Sequence, residues 1–360
     1  MKVMTVFGTR PEMIKMWPVL KKLDEYDFEH IMVHTGQNHT PELKDFIIRD
    51  LELRAPDYEL GIDTTSYGRE VADVVSKTDE LIKQHRPDAL LVLGDTYSGL
   101  SVMPAAHHGV RIFHMEAGLR AWDVRMPEQR NRILIDHMSS VLLPFNQYHR
   151  ENLIRENIHP SKIFVTGNPT YETMRAFADR IDACDLPERL GLTRGKYVAV
   201  TAHRSENVDT RESLQSIFDA LRMLAEELDM DVVYPIHPRT RSKLGPIEVS
   251  PRVRLLDPMG FIDFNAFQKH AFCLLADSGT TPEESLWYRV PCVSLRRTTE
   301  RPETVEAGAH VVAGLQPRDV VDAVVNVTSQ PWEARYDLSE GFSPSSVVIN
   351  VLRSRITNFF

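Results

Sequence analysis

The chain has 360 residues, 42 % apolar and 26 % charged, an ordinary globular balance with enough apolar material for two cores. Its formal net charge of −9 lacks the basic surplus of a nucleic-acid binder, yet a few focused Arg and His residues would suffice to hold a phosphate. Cys184, Cys273 and Cys292 form no CxxC pair, and two of them sit in apolar runs, so they read as buried thiols of a reducing, cytoplasmic compartment. No apolar run of about 18 residues is present, and the opening MKVMTVFGTRPE reads as a first strand rather than a signal peptide, so no membrane partner is expected.

Short apolar runs alternate with amphipathic stretches. Strands are expected at 3–7, 31–34, 89–93, 111–115, 141–144 and 162–165, with helices at 12–23, 71–84 and 131–138 among them. The pattern then restarts, with strands at 197–201, 232–235, 253–256, 272–276 and 292–295 and helices at 213–227, 281–288 and 319–327. Between the halves, 167–194 holds one helical stretch, 171–181, followed by turn-prone residues including Pro187 and Gly191. The expected fold is α/β, two Rossmann-like domains spanning 1–168 and 169–344. After the polar loop DLSEGFSP, the tail at 345–357 has helical spacing. Two such halves imply a ligand cleft at the carboxyl ends of their strands.

Polar clusters follow several of these strands. Gly8-Thr9-Arg10-Pro11-Glu12, with Lys15 one turn on, combines a tight turn, a helix N-terminus and two bases. That set suits a phosphate, and it equally suits a plain strand–helix turn with solvated bases. Asp95 ends the run DALLVLGD, either as a site residue or as a helix cap. Glu116 follows IFHM ahead of a Gly turn, a poor place for a surface carboxylate. Twelve residues on, Glu128 stands in the first turn of a helix, where the dipole favours it in any case. Together the three carboxylates suit removal of a proton on one face and delivery on the other.

In the second half, His203 and Arg204 sit after a strand, fit for phosphate or acid–base work or for a structural role. Asp277-Ser278-Gly279-Thr280 precedes a helix with Pro282 near its start, an anion-binding terminus. Glu283 and Glu284 in that first turn would repel a phosphate, so one of them is better employed on ribose hydroxyls. Thr299-Glu300-Arg301-Pro302-Glu303 repeats the Arg-Pro-Glu chemistry of the N-terminus. His107, His108, His137, His149 and His270 lack ligand spacing and no DxD motif occurs in these segments, so no metal is expected.

In order along the chain stand FGTRPEMIKMWPVL, HTGQN, PDY, LVLGDT, HMEAGLR, PEQRNR, TGNPTYE, TAHRSEN, HPRTR, DSGTTPEE and TERPETVEAG. This series resembles the non-hydrolysing UDP-N-acetylglucosamine 2-epimerases from residue 3 to about residue 314. The resemblance implies a glycosyltransferase-B-like fold, with a C-terminal helix in 345–360 completing the first domain, and a homodimer. It implies a reaction on a UDP-sugar with no cofactor: loss of the C2 proton and of UDP, a bound 2-acetamidoglucal, then return of a proton to the opposite face and of UDP to C1. Asp95, Glu116, Glu128 and His203 match the family's catalytic positions. Arg10, Lys15, Arg132, His237, Ser278, Gly279, Glu284 and Arg301 match positions that hold nucleotide or sugar, which agrees with Arg and His for a diphosphate.

There are departures from the family pattern. Asn38 ends HTGQN where bacterial members have His, in a region that contacts an activating substrate molecule in some of them; Gly94-Asp95-Thr96-Tyr97-Ser98 replaces GDTTT, Thr280 stands in the DSGG turn, and the stretch from Glu116 to Glu128 is short. Several motifs also resemble a branch acting on UDP-2-acetamido-2,6-dideoxy-L-hexoses. A hydrolysing epimerase, a retaining glycosyltransferase on the same scaffold and a non-catalytic sugar-nucleotide sensor are the remaining alternatives.

Overall fold

The structure, a computed structural model, describes residues 1–37, 47–123, 126–330 and 342–354. The chain divides into two compact units, Met1–Ala176 with Glu340–Phe360, and Phe177–Ser339. No helix of the described residues is long and apolar enough to cross a membrane.

The first unit is built on β1 (Lys2–Phe7), β2 (Glu29–His34), β3 (Tyr58–Glu59), β4 (Ala89–Leu93), β5 (Arg111–Met115) and β6 (Val141–Leu143). All pair in parallel, in the order β3-β2-β1-β4-β5-β6. Helices cover such a sheet on both faces, which is why β4 reads ALLVL and is buried throughout. The main helices are α1 (Arg10–Glu25), α2 (Tyr67–His85), α3 (Pro127–Met138), α4 (Gln147–Arg155) and α5 (Pro169–Ala176). α1 buries Met13, Met16, Leu20 and Leu23, the three-and-four spacing of one helical face. α2 starts at Ser66, whose hydroxyl accepts from the Arg69 amide, and stops where Arg86 turns left-handed. Each buried Leu or Met contributes about 1.5–3 kcal/mol. Strand direction of connection reverses between β1 and β4, so the crevice of this doubly wound sheet lies at their carboxyl ends.

The second unit repeats the plan. Its strands are β7 (Tyr197–Thr201), β8 (Asp231–Pro235), β9 (Val253–Leu256), β10 (Cys273–Ala276), β11 (Cys292–Ser294) and β12 (His310–Val312). Their order, β12-β11-β10-β7-β8-β9, is the same doubly wound order, with β7 and β10 at the switch point. The main helices are α6 (Ala178–Asp182), α7 (Arg211–Leu228), α8 (Phe261–Lys269), α9 (Thr281–Tyr288) and α10 (Pro317–Ser329). α7 buries Leu214, Ile217, Phe218, Leu221 and Leu224, and α10 buries Val320, Val321, Val324 and Val327. These faces share one core with Val198, Val200, Val232 and Val293.

The chain then returns to the first unit as α11 (Pro344–Arg353), which packs on α1 and α5. Polar bonds fix the dock: Lys22 donates to Ser343 at 2.8 Å, and the Ser345 hydroxyl donates to Glu172 at 2.6 Å.

The expected elements differ from the structure in a few places. The helical stretch 171–181 is interrupted at Phe177, whose backbone leaves helical geometry while its ring packs edge-on against Phe261 at 5.6 Å. The strand expected at 162–165 is reduced to one bridge, Leu142 with Ile163, after a tight turn at Pro160–Lys162, although the Phe164 and Thr166 amides still donate to Leu142 and Pro144. The short edge strands β3 and β12 were not expected. Asn38 of HTGQN, most of the DLSEGFSP loop and the tail beyond residue 354 lie outside the described residues.

Candidate active site

The first cluster grows from the turns after β1, β4 and β5. Gly8 has no room for a side chain, since a Cβ there would stand 1.9 Å from Thr35 Oγ1. Glu12, three residues past Thr9, reaches back to accept from the Gly8 amide (3.0 Å), the Thr9 amide and hydroxyl (2.8 Å each) and the Thr96 hydroxyl (2.8 Å). One side chain thereby ties the β1 turn to the β4 turn. Burial pushes the Glu12 carboxyl up to about 7, against the downward pull of these donors.

Register decides what meets next. Leu93 of β4 lies level with Met115 of β5, so Asp95 and Glu116 leave the sheet side by side. Gly94 turns with φ +77, and Glu116 itself holds φ +61, a left-handed geometry that costs a non-glycine residue about 1–2 kcal/mol. Glu116 is 4 % exposed and pairs with Lys15 of α1 on one oxygen and with Arg132 of α3, at 3.2 Å, on the other. Arg132 also donates to the Glu116 carbonyl at 2.8 Å and pairs with Asp95. Buried charge is tolerated here because two carboxylates face two cations. Glu128 stands one turn before Arg132 on α3 and so shares its face. Burial, then the charges of Glu70 and Glu128, push the Tyr97 hydroxyl up, so Glu128 lies within electrostatic reach of the β4 turn.

Behind Glu116 lies a second, fully buried network. His114 donates from Nε2 to the Gly94 carbonyl at 2.7 Å and pairs through Nδ1 with Asp136 at 2.8 Å. Asp136 also accepts from the Gly118 amide (3.2 Å) and from Arg120 (2.7 Å), and Arg120 pairs with Glu156. Burial opposes the charge of Asp136, but His114 and Arg120 overcome it and hold the carboxyl below its ordinary range. The network clamps both turns that carry Asp95 and Glu116. Gly118 (φ +79) has no room to change, because a Cβ would stand 2.2 Å from the His149 carbonyl.

In the second unit, Ala276 of β10 lies level with Thr201 of β7, so the turns after them emerge together. Asp277, fully buried, accepts from the amides of His203 (2.9 Å) and Arg204 (2.9 Å) and from Asn207 (3.0 Å). The His203 ring is left 55 % exposed, 3.5 Å from Asp277. Ser278 and Gly279 follow, ahead of α9, and a Cβ on Gly279 would stand 3.8 Å from both Arg204 Nη2 and Glu300 Oε2. Arg301 is buried and pairs with Glu283 at 2.9 Å, while Arg296 grips Glu300 with both nitrogens at 2.8 and 2.9 Å. Burial opposes the Glu300 charge, yet Arg296 holds the carboxyl well below the usual range. Glu284 is buried in the first turn of α9, and His237 follows β8, the strand beside β7.

The structure thus joins Lys15, Asp95, Glu116 and Arg132 directly, with Glu128 beside them and Arg10 opening α1. Lys15 and Arg132, expected to hold nucleotide or sugar, here bond the carboxylates. His203, His237, Ser278, Gly279, Glu284 and Arg301 gather at strand ends of the second unit. Sequence reasoning overlooked the roles of Glu12, Asp277 and the His114–Asp136 pair. Thr9-x-x-Glu12 is a legible capping box; Asp136, 22 residues from His114, left no local signal. Among the described residues no group of three or more His, Cys, Asp or Glu side chains is placed to hold a metal ion.

Two parallel sheets in the Rossmann order, with ion-paired carboxylates at one switch point and a buried aspartate gathering turn amides at the other, define a two-domain enzyme of glycosyltransferase-B-like architecture. The family model described as UDP-N-acetylglucosamine 2-epimerase matches residues 21–343. The chain belongs to that family, and it is an isomerase. It is 32 % identical over 368 residues to a UDP-N-acetylglucosamine 2-epimerase of Methanocaldococcus jannaschii, covering 97 % of this chain and 98 % of that one. It is 33 % identical over 325 residues to a UDP-2,3-diacetamido-2,3-dideoxy-D-glucuronate 2-epimerase of Pseudomonas aeruginosa, covering 89 % and 90 %. The crystal structure of a Methanocaldococcus jannaschii UDP-GlcNAc 2-epimerase in complex with UDP-GlcNAc and UDP superposes with TM-score 0.91 at 30 % identity, covering 98 % of this chain and all of that one.

Proposed function

We propose that the protein is a non-hydrolysing UDP-N-acetylhexosamine 2-epimerase that interconverts UDP-GlcNAc and UDP-ManNAc. The observation that carries this reading is the ion-paired set Asp95, Glu116, Lys15 and Arg132 at the first switch point, with Glu128 on the same helix face as Arg132. Carboxylates positioned in such a cation-braced site can take a proton from C2 and return one to the other face. The C2–H electrons form the C1=C2 bond of a 2-acetamidoglucal, and UDP leaves with the C1–O pair. Reversal, with the proton delivered opposite, gives the epimer.

Asp95, Glu116 and Glu128 are assigned the proton chemistry, with His203 as a further catalytic group. Arg10, Lys15, Arg132, His237, Ser278, Gly279, Glu284 and Arg301 are assigned to the nucleotide and sugar. Charge develops on UDP as it leaves, so its grip is part of catalysis. We assign the first unit with its returning helix to the sugar chemistry and the second to the nucleotide. The enzyme acts as a homodimer in the cytoplasm, a setting that its free thiols suit; sedimentation tests the dimer.

The sugar admits a second reading. HTGQN, HMEAG, HPRTR and DSGT resemble the branch acting on UDP-2-acetamido-2,6-dideoxy-L-hexoses, so such a sugar is the alternative substrate. Incubation with each UDP-sugar, without metal or nicotinamide, followed by product NMR, tests both. A 2-epimer still joined to UDP supports the proposal, and the faster sugar names the substrate. Free sugar plus UDP marks a hydrolysing epimerase. No turnover with UDP still bound leaves a glycosyltransferase or a non-catalytic sugar-nucleotide sensor.

A further inference from the structure

The stretch from Glu116 to Trp122 is pinned and then abruptly turned outward. Arg120 is 3 % exposed and locked to Asp136 and Glu156. Ala121, 7 % exposed, donates its amide to the side chain of Gln129 at 2.8 Å. The next residue, Trp122, adopts φ +56 and leaves its indole 64 % exposed. A bulky residue in the left-handed region is strained, and an uncovered indole adds apolar surface in water. Gly or Asn would form the turn more cheaply, so folding alone gives no reason for Trp here.

Position supplies the reason. Gln129, which holds the turn, is the neighbour of Glu128 in the first turn of α3, and Arg132 with Asp95 and Glu116 lies one turn further along. The indole is therefore mounted next to Ala121, whose amide is bonded to Gln129, the chain neighbour of Glu128. A flat aromatic ring recognises the C–H face of a sugar ring, and it favours the less hydroxylated of two sugars.

We infer that Trp122 is a substrate-contacting specificity residue that stacks on the hexose of the UDP-sugar, an inference that rests on the function proposed above. It contributes to binding of the sugar and not of the nucleotide.

The test uses the full-length protein with Trp122→Gly and Trp122→Phe. Glycine relieves the backbone strain, so Trp122→Gly is expected to fold with an unchanged or higher Tm. Its kcat/KM for epimerisation should fall by about tenfold, mainly through KM, with the Kd for UDP alone unchanged. Trp122→Phe should recover most of the loss. Loss of the indole should also narrow any preference between UDP-GlcNAc and its 6-deoxy counterpart. Wild-type kinetics in Trp122→Gly, or an equal loss of affinity for UDP, overturns the inference. A second readout separates its failure from failure of the epimerase reading. Indole fluorescence should respond to UDP-GlcNAc in the wild type and not in Trp122→Phe, with UDP alone giving no such difference. A wild type that binds UDP-GlcNAc with this response but exchanges no C2 proton keeps the stacking and removes the epimerase assignment. No difference between wild type and Trp122→Phe on binding removes the stacking.

Discussion

The two units share a strand order and differ in how they hold their strand ends. In the first, the turns are braced by ion pairs between side chains: Lys15 and Arg132 on Glu116 and Asp95, and His114 and Arg120 on Asp136. In the second, Arg296 and Arg301, after β11, pair with Glu300 and Glu283, but at the switch point one buried carboxylate, Asp277, gathers backbone amides and leaves the His203 ring 55 % exposed. The same fold thus yields one half whose switch-point turns are braced by side-chain ion pairs and another whose switch-point amides are gathered by a single buried carboxylate.

The largest expected effect comes from Glu116→Gln. Removing an acid–base carboxylate should lower kcat by about 10³–10⁴-fold, or about 4–5.5 kcal/mol in barrier, while isothermal titration still detects UDP. Equal losses of turnover and UDP affinity would erase the contrast between the halves.

Next comes Asp136→Asn, which strips the carboxylate from His114 and Arg120 inside the first unit and should cost about 3–5 kcal/mol in urea unfolding. Because the folded carboxyl lies below its ordinary 3.8, its contribution is complete above that pH and fades as pH falls through the lower folded value. The gap between wild type and variant should therefore shrink in acid.

Glu12 has the opposite sign. With its carboxyl raised from 4.5 to about 7, its protonated form stabilises the fold fully below pH 4.5, and that contribution is lost as pH rises through 7. Across that window, wild-type stability should fall relative to Glu12→Gln by up to about 1.4 kcal/mol per pH unit. Parallel pH curves for the two proteins would show that Glu12 ionises normally.

The smallest effect belongs to Asp277→Asn. The amide oxygen can still accept from the His203 and Arg204 amides, so about 1–2 kcal/mol of stability should go. UDP affinity should suffer more than the chemical step, the reverse of Glu116→Gln.

Much of this is legible in the sequence. The strands at 89–93, 111–115 and 197–201 appear where apolar runs marked them, because buried parallel strands need mainly apolar sequence. Glu116 was legible as a carboxylate with no surface reason to follow IFHM. What escaped reading was set by distance along the chain. Lys15 meets Glu116 across 101 residues, and His114 meets Asp136 only because β5 and α3 pack together. The edge strands β3 and β12, two and three residues long, are too short to carry a period. The break at Phe177 depends on a ring contact with Phe261 that no local pattern announces.

The most direct measurement is proton NMR of the wild type and of Asp95→Asn, Glu116→Gln and Glu128→Gln in D2O with UDP-GlcNAc, without metal or nicotinamide. The account predicts deuterium at C2 of a sugar still joined to UDP in the wild type, and its near loss in each variant with UDP binding intact. A C2 proton that never exchanges, or near wild-type exchange in two of the three variants, would contradict it.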